Sequence, residues 1–593
     1  MVKHLATFMR DRNHCRGAYY RVNIKEEIEK FKKRNPNETP KIIFDFMACI
    51  AMVADKDPMD VFTGGRQIVC ANYAKQLCEH FKELGAELVF FIDGPIKKCK
   101  IPHHIENSNQ KYLNQQNIFE YIRNEEKPKI FSPSHKMSVY INNFLTTIRS
   151  YSKISISFAN ECDLDIANYA TQCKALAVVT CDTDFLIFPG NWQVWISILF
   201  NRDQFTIFAW NKMNLLKNLN LRKNHMPIFS TLSGNDFVKY EYVQYLHKSE
   251  DKEKPKQKYL AEYILKEFPR GVPLTKDQFN KLAKLVYNYG NNNITLQKAK
   301  EIVSCSLNSY NYDKREKPNV EIWLKQYIQS TNSIVPYMIL KDFILTINQS
   351  WMDMSLTEFK PYSELVIPIV RRQMGILLDH KREKYPERDI CFKPSHEEPY
   401  QIKKFSPIYY ENGTVPNLED LLRSSNCTSG DCDSENMENT VTEEEKFSLL
   451  CWVSSTKNEI LATEQLLKFR DSPFLLPMMC GNYLVKEAQI TIEEADILLI
   501  SINEAMNSSM EKLLSLKPPE IVKSRHVWIS LVYNRLLEIF RSSLAVCGLY
   551  RYSKISYFDG YIFHKMMQKY PILSEDIKQR ELERIKNYRI YVS

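Results

Sequence analysis

Residues 175–185, Ala175-Leu176-Ala177-Val178-Val179-Thr180-Cys181-Asp182-Thr183-Asp184-Phe185, decide how the first part of the chain is read. An uncharged run rich in β-branched residues gives way to two aspartates two positions apart, which predicts a short buried strand that stops at carboxylates. Working outward, the same signature recurs. Lys41 to Phe46 (KIIFDF) is an apolar run reaching Asp45, and Glu87 to Ile92 (ELVFFI) stops at Asp93-Gly94-Pro95. Lys153 to Phe158 is a further candidate strand. Between them, Val69, Tyr73, Leu77 and Phe81 fall at helical spacing over Ile68–Leu84, with Gly85 placed as a C-cap glycine. Ile166, Tyr169, Ala170 and Cys173 make a second helical stripe over Glu161–Lys174. Strands that are continuously apolar and alternate with helices predict an α/β fold, a parallel sheet with helices on both faces. Ligands of such sheets bind outside the carboxyl ends of the strands.

That edge is where the acids fall. Asp45 and Asp93 end two strands, and Glu161 and Asp163 open the helix after Lys153–Phe158. Asp182 and Asp184 follow Ala175–Thr180, and Asp236 sits in Ser233-Gly234-Asn235-Asp236-Phe237. Any one of these reads equally well as a turn or N-cap residue. Jointly they are specific, because every candidate parallel strand before residue 190 ends in or close to an acid. Carboxylates packed together repel and drive one another's pKa upward. A hard divalent cation removes that conflict, and two ions about 3.5–4 Å apart support phosphodiester hydrolysis.

The order IIFDF, FFIDG, ECDLDIA, CDTDFLIF, SGNDF resembles the nuclease core of the flap endonuclease superfamily, a PIN-like fold. Within it, DTDFLIF, LSGNDFV and the segment Pro368–Leu378 (PIVRRQMGILL) are similar to the asteroid branch and to the related constitutive coactivators of PPAR-gamma. The resemblance implies that Asp45, Asp93, Glu161, Asp163, Asp182, Asp184 and Asp236 hold two Mg²⁺ or Mn²⁺ ions, with Asp182 central to catalysis. Asp165 is extra to the pattern. The resemblance also implies a basic residue steering the scissile phosphate, for which Lys100 has the nearest spacing, with Lys97 and Lys98 beside it.

Three features depart from the superfamily's pattern. Members usually begin Met-Gly-x-x-Gly-Leu near the active site, whereas this chain begins Met1-Val2-Lys3-His4-Leu5. The turn with Gly-x-Gly by which flap endonucleases grip duplex phosphates is missing after Asp236, where the sequence reads FVKYEYVQYLHKSEDKEK. Residues 94–152 stand in the place of the family's helical arch. From Gly94 to Lys153 there are ten Lys or Arg against four Glu. Lys97, Lys98, Lys100, Lys111 and Arg123 are therefore candidate nucleic-acid contacts, with Tyr112, Phe119 and Tyr121 as candidate stacking surfaces. A solvated loop explains the same lysines as readily.

The rest of the chain is read from composition. Its 593 residues suggest three or four structural units: a PIN-like nuclease core over 1–240 containing the basic insert, a mainly helical extension over 241–411, a polar acidic linker over 412–446, and a helical C-terminal unit over 447–593 offering a surface for a protein partner. The net charge of +9, from 80 basic and 71 acidic residues, permits a polyanionic partner without requiring one. Fifteen cysteines without paired CxxC spacing point to reduced thiols and against a zinc knuckle. No run is apolar enough to cross a bilayer, so an intracellular protein is expected, nuclear by the resemblance. The functional expectation is a metal-dependent, structure-specific nuclease acting on branched or single-stranded DNA or RNA. Two alternatives stay open: a catalytically weak or inactive nucleic-acid-binding or scaffold protein of the coactivator type, and an α/β protein whose acids are turn caps.

Overall fold

The computed structural model describes residues 2–54, 57–124, 126, 139–159, 161–247, 254–288, 294–316, 319–348, 352–423, 441–456 and 462–592. Much of the expected linker falls outside these residues. Two compact units emerge: Met1–Met52 with Gln76–Gly94 and Arg149–Asn319, and Val53–Lys75 with Pro95–Ile148 and Val320–Ser593.

The first unit is built on seven strands: β1 (Tyr19–Asn23), β2 (Lys41–Asp45), β3 (Glu87–Ile92), β4 (Lys153–Ile156), β5 (Ala177–Thr180), β6 (Gln193–Asn201) and β7 (Thr206–Trp210). They lie in the order β1-β7-β6-β5-β2-β3-β4. The five strands from β6 to β4 run parallel, with β2 central between β3 and β5. β7 and β1 complete the sheet antiparallel. The four strands expected from sequence all form, in a mostly parallel α/β sheet. β1, β6 and β7 were not anticipated. β1 mixes polar and apolar residues, with only Val22 buried. The connection from β6 to β7 lacks the Asn-Gly or Asp-Gly signature of a hairpin; Phe205 itself takes a positive φ of 46° there.

The buried strands carry their unit's core. Ile43, Val89 and Val178 pack with Ile166, Ala167 and Ala170 of the helix Cys162–Gln172, and with Phe185, Leu186 and Phe229. Full burial of each such aliphatic side chain contributes about 1.5–3 kcal/mol. The expected helix over Ile68–Leu84 forms as Gln67–Glu83. Gly85 then takes φ +65°, and Ala86 N–H reaches back to Phe81 O at 3.0 Å, a closure that requires the left-handed residue supplied by glycine.

The second unit is mainly helical. Its helix Ser524–Val546 is buried along most of its length and packs against helices Tyr362–Leu377 and Leu475–Lys486. A small sheet in the order β10-β9-β8 joins β8 (Leu345–Thr346), β9 (Arg388–Phe392) and β10 (Gln401–Phe405). A buried ion pair, Arg66 Nε to Asp559 Oδ2 at 3.0 Å, lies within this unit, and Asp559 also caps the helix Gly560–Lys569. The basic insert contributes the helix Ile101–Arg123, whose face with Tyr112, Ile118, Phe119 and Ile122 is buried. Among the described residues no helix is long and apolar enough to cross a membrane.

Candidate metal centre

Each strand end delivers its acid to the carboxyl edge of the sheet. Asp45 is the last residue of β2, in register with Phe91 of β3, so Asp93 lies one step beyond the neighbouring strand. Asp93 can turn away sharply because Gly94 follows: a Cβ at Gly94 would sit 1.6 Å from Ser157 O, and only glycine admits that approach. Asp182 and Asp184 leave the end of β5, where Asp182 caps the short turn Thr183–Leu186 by accepting the Asp184 N–H at 2.9 Å. Glu161 and Asp163 stand at the start of the helix Cys162–Gln172, the positive end of its dipole. Glu161 does not cap that helix with its side chain. Asp236 is exposed in the turn after the helix Met226–Ser233.

The electrostatics show which acids share one neighbourhood. Burial pushes the Asp163 carboxyl well above its ordinary range, and Asp182, Asp45, Asp184 and Asp93 push it further. Burial and then Asp93 raise Asp45 to about 6. Burial, Asp184 and Asp236 raise Asp182 to about 8. Cys162, buried next to Asp93, Asp45 and Asp163, has its thiol pKa driven up in the same way. The negative charge is therefore both desolvated and self-repelling.

Second-layer residues that sequence reading missed hold the acids in place. Thr180 is fully buried; its hydroxyl donates to Asp45 Oδ2 at 2.8 Å and accepts the Asp182 N–H at 3.1 Å, tying two strand ends together. Tyr310 donates its hydroxyl to Asp184 Oδ2 at 3.1 Å and pairs with Ser230 Oγ at 2.8 Å. Asn235 donates to both Ser230 and Ser306 while accepting the Phe237 and Val238 N–H groups, which fixes the Asp236 turn. Thr180 had a sequence signal, since it precedes the acid pair on its own strand. Tyr310 had none, being 126 residues from Asp184.

Asp165 is set apart from the cluster. Arg315 clasps it, with Nε at 2.9 Å and a second nitrogen at 2.8 Å, so it is neutralised locally. The N-terminal segment runs beside the site: Thr183 Oγ1 donates to Val2 O at 3.4 Å, and Lys3 N–H donates to Gly234 O at 3.0 Å. His4 takes the left-handed conformation at φ 59°, in the stretch where the superfamily carries glycine, and its ring meets Tyr240 edge-on at 5.1 Å. A side chain in that conformation costs about 1–2 kcal/mol relative to glycine.

The basic candidates belong to the other unit. Lys98 and Lys111 are exposed, Lys97 and Lys100 half-buried. Arg123 is ion-paired to the buried Asp353. Tyr112 and Phe119 are buried at 4% and 0% exposure, which corrects their reading as stacking surfaces: they are core residues of the insert's helix. Tyr121 remains half-buried.

Among the described residues, no group of three or more Asp, Glu, His or Cys side chains is gathered tightly enough to hold a metal ion. The donor chemistry nevertheless fits a hard divalent cation. All seven matched residues offer carboxylate oxygens, and burial together with neighbouring acids of the set raises Asp45, Asp163 and Asp182.

The fold and this edge define the class: an α/β protein with a mostly parallel sheet and a set of acidic residues at the carboxyl ends of its strands. In sequence, part of the chain is similar to constitutive coactivators of peroxisome proliferator-activated receptor gamma. It is 26% identical to the Bos taurus protein and 27% identical to the Homo sapiens protein, each over 221 residues. Those matches span 37% of this chain and 31% and 24% of the two relatives, so less than a third of each relative is represented. No family model matches the chain. Solved structures with likeness include human GEN1 in complex with Holliday junction DNA (TM-score 0.29, 10% identity, 70% of this chain and 90% of that one). The catalytic core of Rad2 in complex with DNA substrate is another (TM-score 0.26, 12% identity, 51% of this chain and 98% of that one).

Proposed function

We propose that this chain is a divalent-metal-dependent phosphodiesterase acting on branched or single-stranded nucleic acid. The observation that carries the reading is the elevation of Asp45 by Asp93, of Asp182 by Asp184 and Asp236, and of Asp163 by Asp182, Asp45, Asp184 and Asp93, each on top of burial: like charges crowded at one sheet edge gain most from a shared cation. Asp45, Asp93, Glu161, Asp163, Asp182, Asp184 and Asp236 would hold Mg²⁺ or Mn²⁺, as two ions. When bound, these supply a Lewis acid and an activated water. The chain's own contribution is positional. Thr180 fixes Asp45 relative to Asp182, and Tyr310 fixes Asp184. Lys100, with Lys97 and Lys98, neutralises phosphate charge, and Lys111 and Arg123 contribute to nucleic-acid binding. The helical C-terminal residues offer a surface for a protein partner.

The test is cleavage of labelled flaps, hairpins and single strands, in DNA and in RNA, with Mg²⁺ or Mn²⁺ and with EDTA. Metal-dependent cutting that disappears in Asp182→Ala is expected. A second reading, a nucleic-acid-binding or scaffold protein without catalysis, is favoured by His4 in place of glycine beside the site and by the names of the related coactivators. Substrate binding and metal stabilisation without any cut strand would establish it over the first.

A further inference from the structure

The first unit holds a groove that the acidic edge does not use. Residues just after the Asp184 turn, the start of the helix Met226–Ser233, the segment Val272 to Phe279 and the end of the helix Leu296–Asn308 surround it. Its volume is about 910 Å³, within the roughly 300–1,000 Å³ of small-molecule sites. Ile187, Val272, Leu274, Phe279 and Leu307 give it an apolar lining. All of these but the buried Ile187 are half-buried, so apolar surface the size of a ring stays within reach of a ligand. Tyr310 also lines the groove and stands between it and the acidic edge, where its hydroxyl donates to Asp184.

The polar groups of the groove are accessible. Lys223 and Lys276 are exposed, against one lining acid, Asp313. The helix Lys276–Asn288 adds no free N–H groups at its first residues, because Thr275 and Gln278 cap each other at 3.1 and 3.3 Å. Attraction for an anion therefore rests on the two lysines. Asn308 and Asn311 are exposed amides. Asn308 Nδ2 donates to Ser304 Oγ at 3.2 Å, which leaves its Oδ1 without a hydrogen bond among the described residues. Asn311 Oδ1 accepts the Asp313 N–H at 3.0 Å, which leaves its Nδ2 unused among the described residues. One amide thus offers an acceptor and the other a donor, the pair that the edge of a nucleobase requires.

We propose that this groove binds a nucleoside monophosphate. The base lies against Phe279 and Leu274 with its edge toward Asn308 and Asn311, and the phosphate meets Lys223 and Lys276. A fatty acid would leave the amides unused, and an uncharged ring would leave the lysines unused. The site is separate from the acidic edge, needs no metal, and does not depend on the proposed nuclease activity.

The experiment uses the full chain in EDTA, which keeps metal-bound phosphate out of the acidic edge. Adenosine monophosphate, uridine monophosphate, the two nucleosides and inorganic phosphate are titrated separately at constant ionic strength, read by calorimetry and thermal denaturation. Saturable binding of at least one monophosphate is expected, with its nucleoside about tenfold weaker and phosphate alone without effect. Lys276→Ala, an exposed change, should weaken the monophosphate about threefold and leave the nucleoside unaltered. Ser304→Trp fills the groove from the helix Leu296–Asn308 and should abolish saturable binding. Absence of saturable binding by both monophosphates would overturn the proposal. So would inorganic phosphate that binds as well as the nucleotide, or a Ser304→Trp protein that binds like the wild type. Should Ser304→Trp fail to fold, an unaltered monophosphate affinity in Lys276→Ala rejects the site and a weakened one sustains it.

Discussion

Neutralising one acid of the centre should stabilise the protein in the absence of metal, which is the reverse of what removing a structural carboxylate does. Asp182 is the sharpest case. Its ordinary pKa is 3.8, and burial with Asp184 and Asp236 raises it to about 8. At pH 7 the unfolded chain ionises Asp182 whereas the folded one holds it protonated, and at about 1.4 kcal/mol for each pH unit between 3.8 and 7 the proton uptake costs folding on the order of 4 kcal/mol. Asp182→Asn keeps the side chain's shape and an oxygen for the Asp184 N–H, and it removes that cost. In EDTA the variant should therefore melt several degrees above the wild type. With Mg²⁺ the gap should narrow. At 100 times its dissociation constant a bound ion stabilises by about 2.7 kcal/mol, and the wild type should gain this while Asp182→Asn should not. Asp165→Asn is the internal control. Asp165 is paired with Arg315 at 2.8–2.9 Å, so losing its charge should lower stability with or without metal. The assay is thermal unfolding of the three proteins in EDTA and across a Mg²⁺ titration. If Asp182→Asn is destabilised in EDTA as much as Asp165→Asn, or if Mg²⁺ lifts all three equally, the argument from crowded charge is wrong.

Tyr310→Phe should cost about 1–2 kcal/mol, because the hydroxyl bridges Asp184 and Ser230 inside the core; urea unfolding reads the loss, and the Mg²⁺ midpoint should move to higher concentration. Acid should also destabilise the helical unit through His526 and His564. Burial lowers His526 from 6.5 to about 4 and His564 further, so both are neutral when folded, and the unfolded chain binds the protons. Their contribution is complete above pH 6.5 and is lost as pH falls toward 4, on the order of 3 kcal/mol for His526. Asp163 and Asp182 act with the opposite sign, so the informative quantity is the difference in urea midpoint between wild type and His526→Gln from pH 7.5 to 5, which should shrink to the acid side. A difference independent of pH would refute the assignment.

The local chemistry of the chain was written in its order of residues. Apolar runs that end at Asp45, Asp93 and Asp182 specify strands buried on both faces, because unpaired polar side chains cannot enter such strands without cost. The glycines at 85 and 94 mark where the backbone must turn or approach another strand closely. Those signals are short-range, so they survive in the sequence. β1 left a weaker trace, since its pairing is with β7, up to 191 residues away (Tyr19 with Trp210), and the β6–β7 hairpin lacks a local turn signature. Nor could periodicity foretell that residues 53–75 and 95–148 cluster with residues 320–593. The insert's Tyr112 and Phe119 show why: an aromatic at helical spacing is equally suited to stacking a base or filling a core, and only the tertiary contacts choose. The same holds for Thr180 and Tyr310. A hydroxyl acquires its role from what lies within about 3 Å of it, and that distance is set by the packing of segments that the sequence keeps far apart.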